Sequence, residues 1–301
     1  MQKTLDKRRK KWHYIYMQKK FVKELAKMKT FSKILALVLA GLMAAAIVAG
    51  CSPANKDWED IGPKGKMIIG ITDFPPMNYK DESGKWTGFE TEFAEAVCAI
   101  LGVTPEFVEI DWGSKETELK AKNIDCVWNG MTVTDERAKN MDFSVHYMKN
   151  RQVLVTLAAN EDKYQSAADL EGARVVAEKG STGEKAVAGE KGAPGDEFFA
   201  KADYTGVEKQ ITALMEVVSG TADLAVVDFL IAANILSEGG NFASLVISKH
   251  KTFGDEEYAI AFRKNSPETL KKVNDAIKEL KDSGEFQAIG DKYGLGDLLI
   301  K

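Results

Sequence analysis

The sequence predicts an α/β protein made of two successive units, on three observations. The chain has 301 residues, about twice the ~150 of an average domain. From residue 67 onward, short β-rich runs alternate with stretches of helical periodicity, the pattern of a sheet with crossover helices. That alternation pauses near residue 160 and then resumes. Hydrophobic residues make up 45% and charged residues 29%, with 7 Pro and 3 Cys, which excludes collagen-like, disordered and disulfide-scaffold classes.

In order along the chain, MIIGI at 67–71 reads as a strand, followed by the loop signals Pro75-Pro76 and Asp81-Glu82-Ser83-Gly84. Phe93, Val97, Ile100 and Leu101 fall on one helix face, and Gly102 sits where a C-terminal cap belongs. Residues 106–110 read as a strand, 115–120 as a helix and 124–128 as a strand. The second unit has a strand at 174–177, a helix after Gly183, and a long helix carrying Val207, Ile211, Leu214, Met215 and Val218. A strand at 224–227 follows. The chain closes with a strand at 258–262, an amphipathic helix bearing Leu270, Val273, Ile277 and Leu280, and a shorter one with Phe286 and Ile289. A parallel sheet with crossovers is the economical architecture.

The first fifty residues read as an address. The 17-residue apolar run at 34–50 follows Lys29 and Lys33 and ends in small residues, as in a secretory signal peptide. It is at the short limit of a bilayer span, for which about 20 residues are needed, so a retained helix is the alternative. Val48-Ala49-Gly50-Cys51 resembles a bacterial lipobox, which implies that Cys51 is acylated and becomes the mature N-terminus, with 51–63 as a tether. Met28 would open a signal peptide (28–50) of ordinary length. Residues 1–27 then lie upstream of the true start or form a long basic n-region.

Residues 1–50 hold 12 Lys and Arg against 2 Asp and Glu, and the remaining 251 hold 29 against 43, a balance of −14. A body of that charge argues against nucleic acid as a partner. His146 and His250 are in no metal-ligand spacing, so no metal and no other cofactor is expected. Lys179-Gly180-Ser181-Thr182-Gly183 lacks the order of a phosphate-cradling loop. Cys98 and Cys126 read as buried inert thiols, and a disulfide between them would need Cα atoms within about 7 Å.

Three places can carry binding chemistry. Thr132-Val133-Thr134-Asp135-Glu136-Arg137 follows a buried strand and opens a helix, with Thr134 as N-cap. It groups backbone N–H groups, the Thr132 hydroxyl and the Arg137 guanidinium, all suited to a carboxylate; the alternative is a solvated helix arginine. Asp228 ends an apolar strand, where open α/β sheets place ligand groups, but it serves equally as an N-cap. Ser181 and Thr182, at a strand-to-helix turn, offer hydroxyls to an anion or simply cap a helix.

The pattern from residue 66 to 301 resembles the extracellular solute-binding proteins of polar amino acid ABC importers, family 3. The resemblance rests on Gly70-Ile71-Thr72-Asp73-Phe74-Pro75-Pro76-Met77, Gly88-Phe89-Glu90-Thr91-Glu92-Phe93-Ala94, Ile124-Asp125, Thr132-Val133-Thr134-x-x-Arg137 and Phe143-Ser144. It continues through Gly180-Ser181-Thr182, Ser219-Gly220-Thr221-Ala222-Asp223, Asp228 and Tyr258-Ala259-Ile260-Ala261-Phe262. His146-Tyr147 departs from the Pro-Tyr usual in the family after Phe-Ser.

The resemblance implies a two-lobe, type II periplasmic-binding-protein fold, each lobe a mixed sheet flanked by helices. Lobe one would comprise 64–157 and 256–301, lobe two 158–255. It implies a ligand α-carboxylate held by Arg137 and Thr132 with Thr182 and Ser181, and an α-ammonium held by Asp228 and the Gly130 carbonyl. Phe74 would pack on the ligand side chain, with Asp73, Glu90, Trp112 and Asn129 as further lining, although core packing is an equal reading of Trp112 and Asn129. The implied protein is a monomer without catalytic residues, outside the cytoplasm, lipid-anchored through Cys51 and partnered by an importer permease. A dehydratase-like enzyme would need a poised acid–base pair, and a sensor domain would need a membrane span after the second lobe; neither is read. Carboxylates among the lining residues lean against an acidic ligand unless Lys115, Lys149, Arg151 or Lys179 reaches in.

Overall fold

Strands buried on both faces read as unbroken apolar runs, and both sheets of the protein are built on such runs. The computed structural model describes residues 57–190 and 193–301. The predicted leader, the Cys51 anchor and the start of the tether lie outside the described residues. Twelve strands are numbered here: β1 (Lys66–Ile71), β2 (Tyr79–Lys80), β3 (Trp86–Thr87), β4 (Thr104–Glu109), β5 (Cys126–Val127), β6 (Met141–Phe143), β7 (Met148–Leu157), β8 (Arg174–Glu178), β9 (Asp203–Val207), β10 (Leu224–Asp228), β11 (Leu245–Tyr258) and β12 (Ala261–Arg263).

The first sheet has the order β4-β1-β5-β12-β6 and the second β11-β7-β10-β8-β9, while β2 and β3 form a separate hairpin. In each sheet three strands run parallel, β4, β1 and β5 in one, β9, β8 and β10 in the other. An antiparallel pair completes each, β12 with β6 and β7 with β11, so both sheets are mixed. Side chains alternate between two cores with period two. On β1, Met67, Ile69 and Ile71 enter the main core while Ile68 packs on a second cluster around Trp112, Leu119 and Ile124. On β10, Ala225 and Val227 face the main core, and Leu224 and Val226 a third cluster with Tyr164 and Phe199.

The helices agree with the periodicity. Phe89–Leu101 ends on Gly102, whose φ of 68° is the left-handed conformation of a cap and whose N–H donates to the carbonyls of Ala99 and Cys98. Helices Lys115–Lys120, Gln210–Ser219, Pro267–Ser283 and Glu285–Lys292 lie where their apolar spacing put them. Val207, read as helical, is the last residue of β9.

Sheet membership can be set beside the expected lobe boundaries. Strand β7 pairs with β10 and β11 along its length, so the chain leaves the first sheet after Phe143 and returns to it after Tyr258. Apolarity alone does not say which sheet a strand joins. The end of the expected tether is also folded: Asp57–Asp60 and Gly62–Lys64 are 3-10 turns, Ile61 is buried, and Asp57 accepts from the backbone N–H of Thr269 at 2.8 Å. A lone buried isoleucine among charged residues gives no periodic signal. Cys98 and Cys126 are buried free thiols, with burial pushing Cys98 up to about 12.

Candidate functional site

Open α/β sheets present ligand groups beyond the carboxyl ends of their parallel strands. Four such ends meet here in one narrow cleft. From the first sheet, Thr72, Asp73 and Phe74 follow β1, and Asn129, Gly130 and Thr132 follow β5. Trp112 and Arg137 complete that wall. From the second sheet come Glu178 at the end of β8, Ser181 and Thr182 just after it, Asp228 at the end of β10, and Gln210.

Arg137 is buried rather than solvated, at 8% exposure. Its Nη1 donates to the Thr132 carbonyl at 2.8 Å and its Nη2 to the Gly180 carbonyl at 3.0 Å, so it spans from the first wall to the second. Burial lowers its pKa, opposed by the charges of Glu256 and Asp228. Thr134 is the N-cap, accepting from the Arg137 N–H at 3.2 Å. That N–H is therefore used locally. The Thr132 hydroxyl donates to Glu256 at 3.0 Å.

Asp228 is buried and surrounded by donors. Its Oδ1 accepts from Gln152 at 2.8 Å, from the Tyr258 hydroxyl at 2.8 Å and from Asn150, and its Oδ2 accepts from Gln210. The Gln210 side-chain carbonyl in turn accepts from the Asp228 backbone N–H at 2.8 Å. Burial raises the Asp228 pKa, as does Glu256, which shares the Asn150 and Gln152 amides. The N-cap alternative is not realised, since the Asp228 side chain makes no cap hydrogen bond. Ser181 does cap its helix, accepting from the Glu184 N–H at 3.0 Å, and lines the cleft as well.

Glu90, expected in the lining, stands one layer behind it. It is fully buried, accepts from the Gly130 N–H at 2.8 Å, from Asn78 at 2.7 Å and from the Tyr147 hydroxyl, and burial pushes it up to about 7. Its hold on Gly130 matters because Gly130 has φ 54° and a Cβ there would come within 2.6 Å of the Phe74 ring. Asn129 is fixed by a reciprocal pair of hydrogen bonds with Thr72, at 2.8 and 2.7 Å.

Sequence reasoning missed Thr72, Glu178 and Gln210. Glu178 ends an apolar strand as Asp228 does, so the same rule would have found it. Burial pushes it up to about 8, and nearby Asp228 adds to the shift while Lys115 opposes it. Among the four candidate loop cations none lines the cleft. Lys115 comes nearest, buried, with Nζ donating to the carbonyls of Trp112 at 3.1 Å and Gly180 at 3.0 Å. Arg151 covers the Phe229 ring at 3.9 Å, Lys179 pairs with Glu208 at 2.5 Å, and Lys149 is exposed on β7. Among the described residues no cluster of metal-ligating side chains occurs, and no helix is long and apolar enough to cross a membrane.

Known proteins share this arrangement of sheets. The L-cystine-binding protein TcyJ of Escherichia coli (strain K12) is 30% identical over 267 residues, covering 85% of this chain and 94% of TcyJ. An ABC uptake transporter substrate-binding protein from Streptococcus pneumoniae, solved with bound histidine, superposes with a TM-score of 0.71 at 29% identity, over 81% of this chain and 98% of that one. The ancestral amino acid-binding protein AncCDT-1, a precursor of cyclohexadienyl dehydratase, superposes with a TM-score of 0.69 at 33% identity, over 78% and 98%. The fold is thus the two-lobe type II periplasmic binding fold. Residues 67–296 match the bacterial extracellular solute-binding proteins, family 3, and the chain belongs to that family.

Proposed function

We propose that the protein captures a polar amino acid outside the cell and presents it to the permease of an ABC importer. The observation that carries this reading is that Arg137 and Asp228 line one cleft from opposite sheets. Arg137 commits two of its five N–H donors to backbone carbonyls, which leaves donors for an α-carboxylate. Thr132, Ser181 and Thr182 add hydroxyls, Asp228 takes the α-ammonium with the Gly130 carbonyl, and Phe74 packs on the side chain. Asp73, Trp112 and Asn129 complete the lining. A ligand contacting both walls favours the closed arrangement of the lobes through its higher affinity for that state.

The test is calorimetry on the full chain in detergent against all amino acids, then against the N-acetyl and carboxamide derivatives of the tightest. At least one amino acid should bind, and each derivative should bind at least tenfold more weakly. Derivatives that bind as well as their parent would show that the site does not read a zwitterion.

The reading extends to a monomer held at the membrane by acylated Cys51. Mass spectrometry of the native N-terminus checks the anchor; an unmodified peptide crossing Gly50-Cys51 on the exported protein would contradict it. One observation favours a second reading, a catalyst of dehydratase type: Glu178 is a buried carboxyl that keeps its proton at neutral pH and lines the cleft. Turnover of a cyclohexadienyl substrate, followed by absorbance, separates the two. Binding without turnover supports the transport protein.

A further inference from the structure

We propose that the bound amino acid carries a positively charged side chain and that Glu178, assisted by Asp73, selects it. The proposal rests on the zwitterion reading above. Three carboxyls line the cleft, Asp73, Glu178 and Asp228, against one lining cation, Arg137. An α-carboxylate takes Arg137 and an α-ammonium takes Asp228. Two carboxyls are left over, one on each wall, since Asp73 follows β1 and Glu178 ends β8.

Neither leftover carboxyl forms an ion pair among the described residues, while Lys115 has committed its ammonium to two backbone carbonyls. Glu178 is buried at 5% exposure and Phe74 at 4%, so a side chain between them is shielded from water. There a cation satisfies a carboxylate and meets an aromatic face. A neutral side chain leaves Glu178 protonated and leaves Asp73, which is exposed, to solvent and the nearby charges of Lys209 and Lys80, so it gains from neither carboxyl. An acidic one adds a further negative charge.

The charged groups around Glu178 define a second signature. Burial dominates and Asp228 and Asp111 add to it, while Lys115, itself lowered to about 7 by burial and by Arg137, and the Gln210 side chain oppose it, so the Glu178 carboxyl is pushed up to about 8. A cationic side chain in contact with it favours the ionised form, and binding then releases a proton to buffer.

Calorimetry on the full chain in detergent, in two buffers of different ionisation enthalpy, tests this with arginine, lysine, histidine, glutamine, cystine and glutamate. Arginine or lysine should bind at least tenfold more tightly than glutamine and at least a hundredfold more tightly than glutamate, with proton release. Glu178→Gln should reduce the arginine-to-glutamine ratio at least tenfold and abolish the release; Asp73→Asn should reduce the ratio by a smaller factor. If glutamine or cystine binds most tightly and Arg137→Lys still removes binding, the zwitterion reading stands and this proposal falls. If no amino acid binds, both fall. A ratio unmoved by Glu178→Gln overturns the assignment of Glu178, whichever ligand ranks first.

Discussion

The two walls of the cleft are built by the same rule and differ in their charges and rings. Each gathers residues from the ends of parallel strands and offers hydroxyls and an amide. The first carries the lining cation, Arg137 backed by Lys115, and the aromatic rings of Phe74 and Trp112 beside one carboxyl, Asp73, whereas the second carries two carboxyls, Glu178 and Asp228, and no lining cation. The cations of the first wall are already turned toward the second, since Arg137 and Lys115 both donate to the Gly180 carbonyl. On the proposed reading, closure and binding draw on the same groups. The lesson is that polarity across a cleft orients a dipolar ligand without either wall needing a complete site.

Substitutions on each side should break this division unequally. Arg137→Lys exchanges a fork for a point charge in a buried place and should weaken amino acid binding by about 2 to 5 kcal/mol by calorimetry. An unchanged dissociation constant with intact circular dichroism would leave the first wall without its anchor.

On the second wall, Glu178→Gln removes a carboxyl whose folded pKa, about 8, is well above its ordinary value of 4.5. Between those values the unfolded chain sheds the proton that the folded chain keeps, so wild-type stability falls as pH rises through the window, by about 1.4 kcal/mol for each pH unit at most. The glutamine variant does not titrate. Its advantage in denaturant midpoint should be absent near pH 4, grow toward pH 8 and reach a few kcal/mol. A constant difference across pH would mean that Glu178 is not held protonated.

Gly180→Ala probes the contact between the walls. The residue has φ 72°, and a Cβ there would lie 3.0 Å from Lys115 Nζ and 3.3 Å from the Gly113 Cα. Strain of about 1 to 3 kcal/mol should appear as faster ligand release and a larger radius of gyration in scattering. The smallest effect belongs to the rim, where exposed Lys209 and Glu109 join the two lobes at 2.9 Å. Lys209→Ala should cost about 0.2 to 1 kcal/mol of binding and less in high salt. A salt-independent loss of several-fold larger size would move the closing contact from Gly180 to the rim.

The sequence made one half of this division easier to read than the other. Arg137 and Asp228 can be singled out because each stands where an apolar strand gives way to a helix, but the residues alone leave a solvated arginine and an N-cap as alternatives, and only the family resemblance weighs between them. Glu178 is flanked by Lys179, so Ala-Glu-Lys-Gly resembles a surface turn; only its place at the end of β8 marks it. Gln210 carries no such mark, because its role depends on packing of a helix start against Asp228 18 residues later. Most strands with apolar runs are read, but β7 is not, despite Val153-Leu154-Val155, because its first half is polar; β11, with Lys-His-Lys-Thr-Phe-Gly-Asp-Glu-Glu in its middle, has neither a run nor clean alternation. Glu90 was misplaced by one layer, since a residue next to a glycine turn gives no measure of depth.

The four hydrogen bonds onto Asp228 bear on how fast and how selectively the site operates. A carboxylate has about four lone-pair directions, two on each oxygen; Asn150, Gln152 and Tyr258 crowd three donors onto Oδ1, while Gln210 alone takes Oδ2. On the proposed reading, an incoming ammonium finds an open direction on Oδ2, but reaches Oδ1 only by exchange, displacing an amide or hydroxyl already seated there. Exchange makes the net gain the small difference between two good partners. It also ties binding to a rearrangement among Asn150, Gln152 and Tyr258, while Gln210 holds both the side chain and the backbone N–H of Asp228.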